Sequence, residues 1–406
     1  SVRGVFSISG EKILMLGLFL TPFTSLRFGF AGPGEILILF ATMIAIFSGG
    51  FLIRIDSRLR IFYNFWIIFL SVSILGLYFN NFFSYIPSGT IESMVFDLFS
   101  YIFIILTIVV IGHYASQNDD FSVTFFKRLF VYWGFAYVVL FAISFITPSI
   151  FGMPLRYHEY FSPLVKNIHQ ASMVTAAMSF VMLYLGIKSQ KILSKLLFFV
   201  ATVLFAIMAL TSGSTKAMLG IVVGALICVI HFIGYRPTGR GRVFINMTTF
   251  FVTFAFLLVF LLLYTDELIF LAVQFFTEND GADGSRQKIY LTGFLNGLNS
   301  PLIGFGPGAH VPYKGGFWDA HNSTLTIFLQ AGFIGVLTFI WFNMRILMKL
   351  SINFALFGAI AAIGMYIIGG DILRRLPIWI ILVGLYYFSL YQPWSSRTKN
   401  ISGKSF

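Results

Sequence analysis

His321 lies in the run Trp318-Asp319-Ala320-His321-Asn322-Ser323, at the start of an apolar stretch. An imidazole gives or takes a proton near neutral pH, and Asp319 stands two residues away to orient it. The plainer use is a structural histidine before a helix. Lys216 follows Thr211-Ser212-Gly213-Ser214-Thr215 and opens another apolar run. A helix start offers free N–H groups and the positive end of a dipole. Hydroxyls such as that of Ser214, with a glycine beside them, let an anion come close. The segment therefore reads as a phosphate seat, or else as a lysine snorkelling at a helix end. Arg286 follows Gly284-Ser285 at the start of a shorter helical pattern. A cation there opposes the helix dipole, a cost that a bound anion would offset; the alternative is an ordinary surface arginine. Arg374 and Arg375 lie close to Asp371. One of them can pair with that acid while the other faces an anion, unless both are interfacial anchors.

Other chemistries are missing. There is no phosphate loop of the G-x-x-x-x-G-K-[ST] type and no D-x-D pair to hold a metal on a nucleotide sugar. There is no HExxH and no Gly-x-Ser-x-Gly. Cys228 is the one cysteine, so neither an intramolecular disulfide nor a cysteine-based metal site is possible. His158, His169 and His310 are weaker rivals to His321. No cofactor and no metal are expected. The activation energy for any reaction must arrive attached to the substrate.

These residues need elements to hold them. The chain has 406 residues, of which 58% are hydrophobic and 10% charged, with a mean hydropathy of +0.89. Soluble domains carry about 25% charged residues. A soluble enzyme, a disordered chain, a disulfide scaffold and a solenoid are excluded. Spanning helices take roughly 20 apolar residues each. Candidate spans lie near 13–27, 34–54, 61–79, 93–113, 128–147, 168–187, 192–211, 216–235, 243–264, 322–344, 352–370 and 376–393. No small-residue cleavage site follows the first run, so it reads as a retained helix and not a signal peptide. The expected fold is all-α: a polytopic membrane protein of about twelve transmembrane helices, with residues 1–406 as one membrane domain.

Charge sets the orientation. Alternate ends and loops, from Arg3 and Lys12 through Arg54, Arg58 and Arg60 to Lys404, collect eighteen of the 27 lysines and arginines. The opposite set holds nine: Arg27, Arg156, Lys166, Lys216, Arg286, Lys288, Lys314, Arg374 and Arg375. By the positive-inside rule both termini are cytoplasmic and all the candidate residues face outward. The net charge of +12 is thus a topology signal and no sign of a nucleic-acid partner. The longest loop, 265–321, is on the outer side. Within it Tyr290, Leu291, Phe294, Leu295 and Leu298 recur at helical spacing, with Ser285 as the N-cap. A Gly/Pro-rich turn, 301–308, follows, and then Tyr313, Phe317 and Trp318.

Three segments together resemble a family. Leu210-Thr211-Ser212-Gly213-Ser214-Thr215-Lys216 is similar to the Ser-Arg motif that opens a helix in the O-antigen ligase and O-antigen polymerase superfamily, with lysine where the family usually has arginine. The run from Gly284-Ser285-Arg286 to Ser300-Pro301-Leu302-Ile303-Gly304-Phe305-Gly306-Pro307-Gly308 resembles its arginine helix and Pro-Leu-x-Gly-x-Gly-x-Gly turn. His321-Asn322, with Gln330-Ala331-Gly332-Phe333-Ile334-Gly335, resembles its His-Asn helix and Gly-x-x-Gly stop. These segments cover roughly residues 205–340.

The resemblance implies a membrane glycosyltransferase of GT-C type in the bacterial inner membrane, with its active site periplasmic. Its donors would be undecaprenyl-pyrophosphate-linked oligosaccharides and its acceptors lipid-linked glycans. A sugar on pyrophosphate is already activated. Arg286 and Lys216, with Arg374 or Arg375, would stabilise the leaving group where other enzymes use a metal. His321 would take the acceptor's proton, and direct displacement would invert the anomeric carbon. Tyr313, Phe317 and Trp318 would stack on sugars. Ser214 and Asp319 complete the expected substrate contacts. The first expectation is a polymerase of O-antigen or capsule repeat units, with a chain-length regulator as a candidate partner. A ligase that transfers chains to lipid A–core is the alternative. A lipid-linked oligosaccharide flippase or secondary transporter is the rival from another class, with Asp97 as its best intramembrane charge.

Overall fold

The computed structural model describes residues 2–27, 31–48, 53–84, 88–117, 121–234, 285–351 and 353–390. Among the described residues eight helices precede the long loop: α1 Val2–Leu20, α2 Pro33–Ser48, α3 Arg60–Phe79, α4 Ile91–Ala115, α5 Phe121–Ser144, α6 Ile168–Lys188, α7 Ile192–Leu210 and α8 Thr215–Gly234. One lies within it, α9 Ser285–Gly297, and three follow: α10 Ser323–Leu350, α11 Phe354–Gly369 and α12 Leu376–Leu390. The protein is an all-α polytopic membrane protein. Among the described residues six helices are long and apolar enough to cross a bilayer, and α2, α8, α11 and α12 are shorter apolar helices. Eleven of the twelve expected spans are helices here. The twelfth, 243–264, lies outside the described residues, as does the start of the long loop. The first helix differs from expectation: it covers residues 2–20 and stops at the Thr21-Pro22 turn instead of running to Arg27.

The core is aromatic. Trp66 on α3 packs against Trp379 on α12 at 4.7 Å, and Phe65 lies 4.9 Å from Phe342 on α10. Tilted and edge-on pairs of this kind add to burial alone. Helix α6 is the central pillar. Its most apolar stretch is 94% buried, between α5, α7, α8, α11 and α12. Polar residues at its N-terminal end are therefore held among protein groups.

The loops gather at two ends. At one end Lys166 N–H donates to Thr24 Oγ1, Ser25 N–H to the Leu164 carbonyl, and His310 N–H to the Ser88 carbonyl. At the other, Arg58 donates to Asp56 and to the carbonyl of Ala115, and Tyr387 donates to Asp56 at 2.7 Å. The first end carries the candidate residues.

Helix α9 forms where its periodicity predicts, but its protein-facing side is not the large apolar one. Ile289, Gly293 and Gly297 face the protein, with Gly293 against Val311 and Leu325 and Gly297 against Phe328. Leu291, Phe294, Leu295 and Leu298 are exposed. Glycines allow α9 to lie close on α10, and the leucines are left on its exposed side.

The Pro301–Gly308 turn is the most constrained part of this end. Helix α10 is broken at Gly332, whose φ of 60° and ψ of −160° suit glycine alone. The turn fills the break. Phe333 N–H donates to the Pro301 carbonyl and Ile334 N–H to that of Leu302, while Phe305 and Gly306 N–H donate to the carbonyls of Leu329 and Gln330. Irregular backbone is tolerated at membrane depth only when protein satisfies it in this way. A Cβ on Gly304 or Gly332 would collide with the facing backbone.

Candidate functional site

The site is built around the six-residue turn between α11 and α12. Ser323 Oγ donates to the Gly370 carbonyl and accepts from Ile372 N–H, and Asn322 Nδ2 donates to the Ile368 carbonyl at 2.7 Å. Asn322 is also the N-cap of α10, accepting from Leu325 N–H. The His321-Asn322-Ser323 segment is thus strapped to the 370–375 turn. His321 itself is exposed, with φ at +50°. A non-glycine residue in the left-handed region is strained, and such strain gathers at functional sites.

Arg374 is the acid-paired arginine of the two. Its Nη2 lies 2.9 Å from Asp319, its Nη1 3.4 Å from Asp97, and its Nε 3.3 Å from Asp371. One planar fork joins α4, the end of the long loop and its own turn. Burial works against the charged guanidinium, but Asp371, Asp97 and Asp319 outweigh it and raise its pKa. Burial likewise opposes the Asp319 carboxylate; Arg374 first, then His310 and His321, hold its pKa below the usual range. His310 Nδ1 is 3.5 Å from Asp319. Asp97 is 1% exposed. It accepts from Gly308 N–H at 3.1 Å and from Gln330 Nε2 at 2.7 Å, and Tyr101 donates to Gln330 in turn. The best intramembrane charge in the sequence therefore ties the Gly-rich turn to the bundle.

Arg375 faces the other way. Its Nη1 donates to Gln170 Oε1 on α6 at 3.3 Å, and its guanidinium reaches the Tyr366 hydroxyl on α11. Tyr366 in turn lies under Lys216, with the ammonium 6.0 Å from the ring. Lys216 is buried and its stem lies along Gly369. Ser214, also buried, is 3.4 Å from His169 Nδ1, and His169 is the neighbour of Gln170. The α7–α8 turn that carries these residues reverses at Gly213, where Tyr160 packs against the backbone.

Tyr313 and Trp318 belong to a hairpin, β1 Val311–Tyr313 with β2 Gly316–Trp318, turned by Lys314 and Gly315, both with positive φ. Their rings meet edge to face at 6.3 Å, and Trp318 is largely exposed. Arg286 lies in the first turn of α9; its side chain, like that of Ser285, is outside the described residues. Asp97, Gln330, Gln170, Tyr366 and His169 were not assigned to the site from sequence. The usable signal was an amide or acid inside an apolar helix.

A polytopic all-α membrane protein with cations, a strained histidine and exposed aromatics gathered at one end defines the class. Residues 200–340 match the family model described as O-antigen ligase, which bears out the resemblance carried by the three motifs. No curated protein matches the chain.

Proposed function

We propose that the protein is a glycosyltransferase of the outer face of the bacterial inner membrane, with both termini cytoplasmic. It joins undecaprenyl-pyrophosphate-linked repeat units into O-antigen or capsule polysaccharide. The observation that carries this reading is the convergence at the end of α11: Asn322 and Ser323, next to His321, are bonded to Ile368, Gly370 and Ile372, while Lys216 and Arg375 both lie at Tyr366.

In this reading the pyrophosphate of the donor lies against Lys216, Arg375 and Arg286. The acceptor hydroxyl attacks the anomeric carbon as the bond from that carbon to the phosphate oxygen breaks. The electron pair leaves with the pyrophosphate, whose growing charge the cations stabilise without a metal. The acceptor proton passes to His321, a step worth about 10²–10⁴-fold. Attack opposite the leaving group inverts the anomeric centre. Ser214, Asp319, Tyr313 and Trp318 contact substrate, the aromatics by stacking on sugar faces. Arg374 holds the site together through its three carboxylates and does not face the anion.

The description of the matched family model favours a second reading, transfer of the finished chain to lipid A–core. One assay separates the two. Purified protein in lipid receives undecaprenyl-pyrophosphate repeat units with or without lipid A–core, with His321→Ala as control. A ladder of lengthened lipid-linked glycans without core is the expected result. Sugar appearing only on the core identifies the ligase. Covalently unchanged donor on the far side of the membrane refutes both.

A further inference from the structure

Lys216 and Arg375 are the charged members of a closed circuit. It runs from Ser214 and Lys216 to Tyr366, on to Arg375 and Gln170, and back through His169 to Ser214. Neither charge pairing nor packing explains Gln170. It stands in the first turn of α6, where Asn167 caps its backbone N–H, and is 3% exposed. Arg375 donates to Oε1, and a guanidinium can only donate. The amide orientation is therefore fixed, and the remaining group is NH₂. That nitrogen is buried and has no partner among the described residues. The Nε of Arg375 is in the same state. Buried donors without acceptors are rare because they lose their hydration and gain nothing. Here two occur on groups that touch each other, beside a buried lysine and a helix start.

We infer that Gln170 binds the donor's pyrophosphate, giving hydrogen bonds through Nε2 alongside Arg375 Nε and the Lys216 ammonium. The inference rests on the reading of Lys216 and Arg375 as the anion-holding pair. A carboxamide suits the position. It supplies direction without a third positive charge, which would be costly to bury near two others. Its acceptor end is already taken by Arg375, so it presents donors alone to the ligand. An oxygen-rich dianion matches that demand.

The test is binding of farnesyl pyrophosphate to the full chain in lipid nanodiscs by calorimetry, with farnesol as the uncharged probe. Gln170→Met removes the donor, and a hydrogen bond to a charged group is worth about tenfold to a hundredfold in affinity. Gln170→Glu keeps an acceptor for Arg375 but turns a carboxylate toward the anion. It is expected to bind farnesyl pyrophosphate more weakly still, with farnesol binding unchanged in both. If Lys216→Ala and Arg375→Ala weaken binding while both Gln170 variants bind like the parent, the role of Gln170 is overturned and the anion-holding pair stands. If all four bind like the parent, both fall. Equal losses for farnesol and farnesyl pyrophosphate mean a packing role and also overturn the inference. Should Gln170→Met fail to fold, Gln170→Glu decides alone, because it preserves the contact with Arg375.

Discussion

Arg374→Met should be among the most damaging single changes at the outer end. The substitution keeps a long apolar stem and removes one positive charge from three carboxylates. Asp97 is 1% and Asp371 8% exposed, so two of the three acids are left buried without their cation. Removing one partner of a buried ion pair costs about 3–5 kcal/mol, which raises the unfolded fraction by roughly two to four powers of ten. Arg374→Lys keeps the charge but loses the fork that reaches three acids at once, so it should fall between Met and the parent. Asp319→Asn should cost no more than about 1 kcal/mol, because that side chain keeps 43% exposure. Asp97→Asn can still accept from Gly308 and Gln330 and is expected to be intermediate. The assay is reversible unfolding in mixed micelles followed by tryptophan fluorescence. Trp66 and Trp379, in contact in the core, report on it. If Arg374→Met is as stable as Asp319→Asn, the carboxylate cluster does not hold the site, and the structural role given to Arg374 is wrong.

Asn322→Ala removes an N-cap worth about 1 kcal/mol and the strap to Ile368. Its turnover should drop much more than its unfolding midpoint, measured as kcat against the parent, because His321 loses its anchor. Gly332→Ala places a methyl group against the Leu302 carbonyl and puts alanine at a positive φ. It should give little folded protein by size-exclusion yield, whereas Gly315→Ala, also at a positive φ but at a hairpin tip with nothing nearby, should cost only the backbone strain of about 1–2 kcal/mol and lose far less yield. The folded-state pKa of Asp319 lies below its ordinary value, so its contribution is complete above about pH 4 and is lost as pH falls through the lowered pKa. The unfolding midpoint should fall below pH 4, and that fall should be shallower in Asp319→Asn.

Much of this was readable in the chain, for physical reasons. Helix positions follow from hydropathy, because lipid forces every backbone group into internal bonds. The grouping of loops at two ends follows from charge. The segments holding Lys216 and His321 were legible because a helix start beside Ser or Asn has a local signature. What stayed hidden depends on distance. Nothing local says that Asp97 meets Gly308, 211 residues away, or that Gln170 meets Arg375. The outward face of α9 was also illegible. Its large apolar residues satisfy the same pattern whether they meet protein or lipid, and the glycines that choose the packed side carry no hydropathy.

The seam at Gly332 also limits motion. Four backbone hydrogen bonds close it, from Phe333, Ile334, Phe305 and Gly306. Unzipping it would strand those donors and their carbonyls in hydrocarbon together, at a cost of several kcal/mol for each group. In the proposed reaction the bundle is expected to stay closed there. Under the same proposal, movement that admits a glycan is expected in the parts of this end that carry no such seam: the Tyr313–Trp318 hairpin and α9 on its glycine face. In the proposed reaction, turnover should be slowed by a cross-link that pins the hairpin and left unchanged by one across the seam.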